Sequence, residues 1–334
     1  MVLTWGIVGA GLISTNFVKA ISTLSNGEHQ VYAVASQNLE RAQKLANDLH
    51  ITKAYGTYHE LANDKKIDVV YIGNLNTQHL ETSKLMLASG KHVLCEKPMT
   101  LNEAQTRELI NFAKERKLFL MEAMWSRCFP VYDKLRNLID SDAIGEVMHV
   151  TVQFGVVFDT LERIASKALG GGTILDLGVY TLQFVQFAYK GLSPINIVAK
   201  GTLNENGVDV SSSAIISYKN GKIGIVSTHS KINLTNEARI VGTKGIIKVP
   251  LFSCPDTIIT PTETIKFELP KSDVNFTYPQ FSGLTYEILE VGRCIKTGLL
   301  ESPKMTHADS LELAQSMDKM RADVGVIFDQ DKQL

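Results

Sequence analysis

The sequence predicts an α/β protein in two parts, a doubly wound, mostly parallel sheet followed by an α+β part with a large, open, mostly antiparallel sheet. Three observations predict it. Apolar strands alternate with amphipathic helices through the first third of the chain, a Gly-x-Gly turn stands between the first strand and the first helix, and from Glu146 the pattern changes to strands punctuated by turns. At 334 residues the chain exceeds the usual single core, which favours two domains, 1–123 and 124–334.

Leu3 to Val8 is an apolar strand, and Gly9-Ala10-Gly11-Leu12-Ile13-Ser14 leads from it into a helix with Phe17, Val18, Ile21 and Leu24 on one side. Gly9 permits the tight turn. Gly11 lets the backbone approach a pyrophosphate, and the helix N-terminus supplies N–H groups and positive dipole, so a dinucleotide is expected here. Ser14 replaces a third glycine and is small enough to keep the helix close to the strand. The second strand, Gln30 to Ala35, ends without the Asp or Glu that holds ribose hydroxyls in NAD sites. Ser36-Gln37-Asn38 follows instead, with Arg41 one turn into the next helix. That favours NADP, the alternative being that Arg41 only decorates a surface helix.

A helix from Leu39 to Leu49 and a short strand, Lys53 to Tyr55, lead to the buried strand Val69 to Ile72. The polar loop Gly73-Asn74-Leu75-Asn76-Thr77-Gln78-His79 should line the same crevice as Gly9. His79 reads either as a helix-start residue or as a nicotinamide-ribose or substrate contact. The next strand, His92 to Cys95, ends in Glu96-Lys97-Pro98, and Thr100 and Glu103 have capping-box spacing ahead of an amphipathic stretch from Asn102 to Arg116. Lys97 therefore falls at the carboxyl end of a strand, the ligand edge of such a sheet, unless it is simply a solvated loop lysine. Leu118 to Glu122 closes this half.

In the second half the strands are Val147 to Val157, Ile195 to Leu203, Ser211 to Tyr218, Lys222 to Thr228, Glu237 to Val241 and Ile246 to Val249. Lys219-Asn220-Gly221-Lys222 is a hairpin turn by composition. Gly170-Gly171-Gly172 leads into one helix, Thr173 to Tyr189, on which Asp176 and Tyr180 are four apart and share a face. Spacing alone leaves two readings, a structural Tyr–Asp contact or a chemical pair.

Composition narrows the function classes. With 44% hydrophobic and 21% charged residues the chain reads as a globular protein, and no apolar run approaches a membrane span. A net charge of -1 and a pI near 6.7 offer no general field for nucleic acid. The four cysteines, Cys95, Cys128, Cys254 and Cys294, lack disulfide-framework or zinc spacing, and no metal is expected. The start, Met1 to Trp5, runs straight into a strand, so a cytoplasmic location is expected.

The glycine loop, Glu96-Lys97-Pro98 and Gly171-Gly172-x-x-x-Asp176-x-Gly178-x-Tyr180, in this order, resemble the Gfo/Idh/MocA oxidoreductase family. Met121-Glu122-Ala123-Met124-Trp125-Ser126-Arg127-Cys128-Phe129-Pro130, with tyrosine at 180 where many members have histidine, is similar to the branch that oxidises trans-dihydrodiols and D-xylose with NADP. The likeness runs to Gly325-Val326-Ile327-Phe328-Asp329-Gln330-Asp331-Lys332. It implies a Rossmann domain followed by a domain whose open sheet builds a homodimer. It also implies that Lys97 and Tyr180 form the catalytic pair, assisted by Asp176 and His79, and that Trp125, Phe154, Asp176 and Phe276 bind substrate. NADP would meet Gly9, Gly11, Leu12 and Ile13 at its pyrophosphate end and Ser36, Gln37 and Arg41 at its ribose phosphate. Asn74, Leu75, Asn76, His79, Glu96, Lys97 and Arg127 would complete the cofactor site. Relatives of the branch carry an aromatic residue where this chain has Ser253, and the adjacent Phe252 is a candidate to replace it.

The expected chemistry is hydride transfer from a secondary alcohol of a cyclic trans-diol (trans-1,2-dihydrobenzene-1,2-diol type) or a pyranose such as D-xylose to the nicotinamide, with Tyr180 as base and the Lys97 ammonium favouring its phenolate. Two alternatives stand beside it: an NADPH-dependent aldose, anhydro-sugar or dicarbonyl reductase of the same family, and a non-catalytic NADP-binding redox sensor. A sensor has no use for a lysine–tyrosine pair.

Overall fold

Short runs rich in Val and Ile, too brief for helices, become the buried strands of the first sheet. In the computed structural model, which describes residues 2–24 and 27–332, the elements of this part are β1 (Leu3–Val8), α1 (Leu12–Ser22), β2 (His29–Ala35), α2 (Leu39–Asp48), β3 (Lys53–Tyr55), α3 (Tyr58–Asn63), β4 (Val69–Ile72), α4 (His79–Ala88), β5 (His92–Glu96), α5 (Glu103–Arg116) and β6 (Leu120–Ala123). Met1 and Leu334, the outer limits of the domains expected from the sequence, lie outside the described residues. The strand order is β3-β2-β1-β4-β5-β6, parallel throughout. The order reverses between β1 and β4, the switch point at whose carboxyl edge ligands bind in such sheets. That edge is tight. Gly73 N donates to Val8 O at 2.9 Å, and a Cβ on Gly9, whose φ is +89°, would lie 2.6 Å from Gly73 O.

The later elements are α6 (Pro130–Asp140), β7 (Val147–Gly155), α7 (Glu162–Ala165), α8 (Val179–Ala188), β8 (Asn196–Leu203), β9 (Asp209–Ser217), β10 (Ile223–His229), β11 (Glu237–Gly242), β12 (Ile246–Pro250), β13 (Thr257–Ile259), β14 (Thr264–Lys266), α9 (Leu284–Lys296) and α10 (His307–Val324). Their strands form one sheet in the order β14-β13-β12-β11-β7-β10-β9-β8. Among the described residues of this sheet the β7–β10 pair is parallel and the other pairs are antiparallel. Asn220 and Gly221 turn the β9–β10 hairpin at φ 61° and 71°, the left-handed geometry that the turn requires. Alternation along β9 and β10 buries Ala214, Ile216 and Val226, and α8 comes so close to β10 that a Cβ on Gly224 would lie 2.6 Å from Val185 Cγ1. On the other face Val198 and Ile215 are exposed.

The chain divides into two compact units, one comprising the residues up to Thr100, Gln105–Cys128 and Leu269–His307, the other Leu101–Ala104, Phe129–Glu268 and the residues from Ala308. Leu269–His307 lies beyond the boundary at 123 expected from the sequence, yet belongs with the first unit, where α9 packs on α1. Among the described residues, no helix is long and apolar enough to cross a membrane. The four cysteines are free thiols.

Candidate active site

At the carboxyl edge of the first sheet, Gly11 caps α1 without a side-chain bond to the helix, and an added Cβ there would meet nothing within 4 Å. The N–H groups of Leu12 and Ile13 thus begin a helix that opens on free space, and Leu12 itself is 59% exposed. This cradle fits a dinucleotide pyrophosphate. Beside it a cleft of about 500 Å³ is lined by Ala10, Thr15, Lys19, Arg41 and Lys44, among others. Ser36 is buried just past β2, and Gln37 is exposed. Asn38 caps α2 through the Arg41 N–H at 3.1 Å, and Arg41 Nη2 reaches back to within 3.4 Å of Ala10 O. Its guanidinium therefore lies over the glycine turn.

On the loop after β4, Asn74 donates to Gln78 Oε1 at 3.2 Å and to Thr82 Oγ1 at 3.0 Å, and Leu75 and Asn76 are half-buried beside it. Tyr58, which sequence reasoning missed, joins this cluster. Burial pushes its phenol above the ordinary value against a hydrogen bond with Asn74 and the charge of Arg41. Nothing in the local sequence beyond a helix start marks it.

His79 has no exposed surface. Burial holds its imidazole below the ordinary pKa, and its ring nitrogens face backbone carbonyls, Nδ1 at 2.9 Å from Pro98 O and Nε2 at 3.3 Å from Asn74 O. A neutral ring has one N–H, so it donates to one of these two carbonyls. His79 thereby sits between the Glu96-Lys97-Pro98 turn and the Asn74 loop, at the helix start that is one of the two readings of the sequence, the other being a ribose or substrate contact. The Lys97–Pro98 peptide is cis, Glu96 Oε2 accepts from Lys97 N at 3.1 Å, and Glu122 Oε1 accepts from Met99 N at 2.9 Å. Glu96 Oε1 takes the Tyr71 hydroxyl at 2.5 Å, and the Tyr71 ring stacks on Phe17 with centroids 3.8 Å apart.

Trp125, Arg127 and Phe276, assigned by the sequence boundary to the second domain, belong to the first unit. Trp125 and Arg127 are buried, and the Trp125 ring lies 5.8 Å from that of Phe281. Phe276 is half-buried between two residues bonded to α1, with Lys19 Nζ donating to Asn275 O at 2.7 Å and Thr277 N donating to Asn16 Oδ1 at 3.1 Å.

In the second unit the expected continuous helix begins as a π-type turn, Ile174–Gly178, before α8. Such turns are rare and concentrate at functional sites. Asp176 lies in the turn and pairs with Arg163 at 3.0 Å; Tyr180 follows in the first turn of α8, 9% exposed. Phe154 meets Tyr180 edge-on at 5.7 Å and Phe252 at 5.5 Å, and Phe252 in turn meets Phe184 at 5.7 Å. Phe252 is fully buried, which settles its direction as inward, behind Phe154. Phe154 and Tyr180 thus touch, with Asp176 on the turn ahead of Tyr180, while Lys97, Trp125 and Phe276 belong to the other unit.

The glycine cradle and its place at the switch point agree with the sequence relationships. Residues 3–124 match the oxidoreductase family with NAD-binding Rossmann fold, and residues 132–248 match the GFO/IDH/MocA C-terminal domain. The chain belongs to the Gfo/Idh/MocA oxidoreductase family. Trans-1,2-dihydrobenzene-1,2-diol dehydrogenase of Xenopus laevis is 42% identical over 329 residues, 98% of this chain and 100% of that protein. Among solved structures, KijD10, a 3-ketoreductase from Actinomadura kijaniata in complex with NADP and TDP-benzene, superposes with a TM-score of 0.82 at 24% identity, covering 97% of this chain and 98% of that one. Levoglucosan dehydrogenase in complex with NADH and levoglucosan gives 0.84 at 17% identity, with coverage of 97% and 98%. At those identities the structures support the fold.

Proposed function

We propose that this oxidoreductase is an NADP-dependent dehydrogenase that oxidises a secondary alcohol of a cyclic trans-diol or a pyranose sugar of the D-xylose type. The observation that carries the reading is the end-to-end 42% identity to a trans-dihydrodiol dehydrogenase. The sequence motifs around Lys97 and Tyr180 accompany it. NADP, bound on the glycine cradle, would supply the hydride acceptor. Arg41 would hold the 2′-phosphate, supported by Gln37 and Ser36 where an NAD site has an acid. Tyr180 takes the hydroxyl proton, and Lys97 supplies the positive charge that makes the phenol easier to ionise and bonds the developing oxygen. Asp176 accepts from a neighbouring substrate hydroxyl, with Phe154, Trp125 and Phe276 offering apolar contact. His79 positions the Lys97 turn rather than relaying a proton, because both its ring nitrogens face backbone carbonyls.

The exposed Val198 and Ile215 on the open sheet suit a symmetric homodimer through that face, and four free thiols suit the cytoplasm. Steady-state reduction of NADP and NAD with D-xylose, a cyclic trans-diol and, in reverse, a dicarbonyl compound tests the reading. Turnover of diol or sugar with NADP supports it; absence of turnover with every substrate and both cofactors overturns it.

A further inference from the structure

Asp209, at the start of β9, is a buried carboxyl, 1% exposed, that no sequence motif marks. Its Oδ2 accepts twice at the entry to the π-type turn, from the Thr173 hydroxyl and from Ile174 N at 2.8 Å. Thr173 Oγ1 is also 3.0 Å from Thr228 Oγ1 on β10, which lies 2.8 Å from Ser212 Oγ on β9. Two strands are thereby bonded to the first residues of the segment that presents Asp176 and Tyr180. On its other side Asp209 Oδ1 has no hydrogen-bond partner among the described residues and faces Gly172, where φ is +107° and an added Cβ would come 2.3 Å from that oxygen. This explains a glycine at 172 on two grounds, a left-handed backbone and the space the carboxylate fills.

We propose that Asp209 is a positioning residue for the reaction, acting through Thr173 and Ile174 to fix the turn from which Tyr180 projects. The inference rests on the proposed role of Tyr180. Three groups from two strands, Asp209, Thr228 and Ser212, are linked to the head of this helix, so loss of the carboxylate frees the turn without touching the glycine cradle, which lies in the other unit. Misplacing a reacting group by about an ångström costs on the order of 10²-fold in rate.

The test compares Asp209→Ala, Asp209→Asn and Thr173→Val with the parent for kcat, KM, NADPH binding by fluorescence, melting temperature and amide exchange in residues 174–180. Asp209→Ala should lose about 10- to 100-fold in kcat. Its NADPH affinity should stay within about twofold, and amide exchange in the turn should quicken without substrate. Asp209→Asn retains an acceptor oxygen for Thr173 and Ile174 and should recover most of kcat. Thr173→Val, the milder cut, should lose part of it and decides the question if Asp209→Ala does not fold. A merely structural Asp209 would lower the melting temperature while leaving kcat per folded molecule and the exchange of the turn unchanged, and that result in either variant overturns the proposal. If Tyr180→Phe keeps normal turnover, the proposed chemistry fails instead, and the exchange measurement still reports whether Asp209 holds the turn.

Discussion

Each unit buries a carboxyl near one of the two residues assigned to chemistry. In the second unit Asp209 lies at the head of the Tyr180 helix, and in the first Glu287 on α9 feels the charge of Glu96, the neighbour of Lys97. Burial raises the pKa of both, but the surroundings differ. Asp209 receives a hydroxyl and a backbone N–H, which oppose the shift, whereas among the described residues neither oxygen of Glu287 has a hydrogen-bond partner and the charge of Glu96 pushes it further up. A carboxyl with donors can hold a backbone in place; one without donors, next to an anion, keeps its proton. The elements packed on α9 do not reverse this. Lys19 of α1 is bonded to Asn275 O, and the turn 125–128 contributes Arg127, which is not among the groups that shift Glu287.

The largest expected effect tests whether the Tyr180 side bears the chemistry. Tyr180→Phe keeps the edge-on contact with Phe154 but removes the titrating oxygen, and turnover should fall by roughly 10²- to 10⁴-fold with cofactor binding nearly unchanged. Stopped assays and NADPH titration on one preparation check it; near-normal turnover would break the assignment. Lys97→Met should also cut turnover and move the rising limb of the oxidation rate profile to higher pH, since the phenol loses a cation that favours its ionised form. An unmoved limb would separate Lys97 from Tyr180.

On the Glu287 side the effect is on stability, and its sign follows from the raised pKa. In the unfolded chain Glu287 ionises near its ordinary 4.5, whereas the folded protein keeps the proton to higher pH. Below 4.5 both states are protonated and the carboxyl does no harm. As pH rises above that value, the folded state must retain a proton that the unfolded chain releases, so stability falls by about 1.4 kcal/mol per pH unit until the folded pKa is passed. Glu287→Gln, neutral at every pH, should therefore melt close to the parent at pH 4 and increasingly above it as pH rises past the ordinary carboxyl value. A melting difference that does not change with pH would show that Glu287 is ionised in the folded protein.

The smallest expected effect concerns the cradle. Arg41→Ala should weaken NADP about tenfold more than NAD by removing a charge-assisted bond. Calorimetric titration of both cofactors checks it, and equal losses would reduce Arg41 to a surface group lying over Ala10.

What the sequence disclosed follows from how local each signal is. The parallel sheet, the glycine turn, the absent acid after β2 and the Lys97 edge are written in contiguous residues, because a strand, a turn and a helix start each have their own pattern. The hairpin at Asn220-Gly221 was legible for the same reason. Asp209, Tyr58, Tyr71 and Glu287 were not, since each matters through a partner far along the chain, as with Tyr71 and Glu96 across 25 residues. The π-type turn was also hidden: its apolar spacing reads as ordinary helix, and the bonds that define its entry come from β9. His79 was singled out by position, but its burial between two carbonyls depends on the Pro98 turn folding back over it.

The return of Leu269–His307 to the first unit has a consequence for synthesis. As the chain leaves the ribosome from its amino end, the strands of the parallel sheet appear early, but α9, Phe281 against Trp125 and the bonds from Asn275 and Thr277 to α1 come only after the whole second sheet has been made. Domains generally fold in the order of translation. Here the nucleotide-binding half waits for residues near 300 before its last helix can close it, so a fragment stopped at Cys128 leaves one side of α1 and the buried indole of Trp125 open to water.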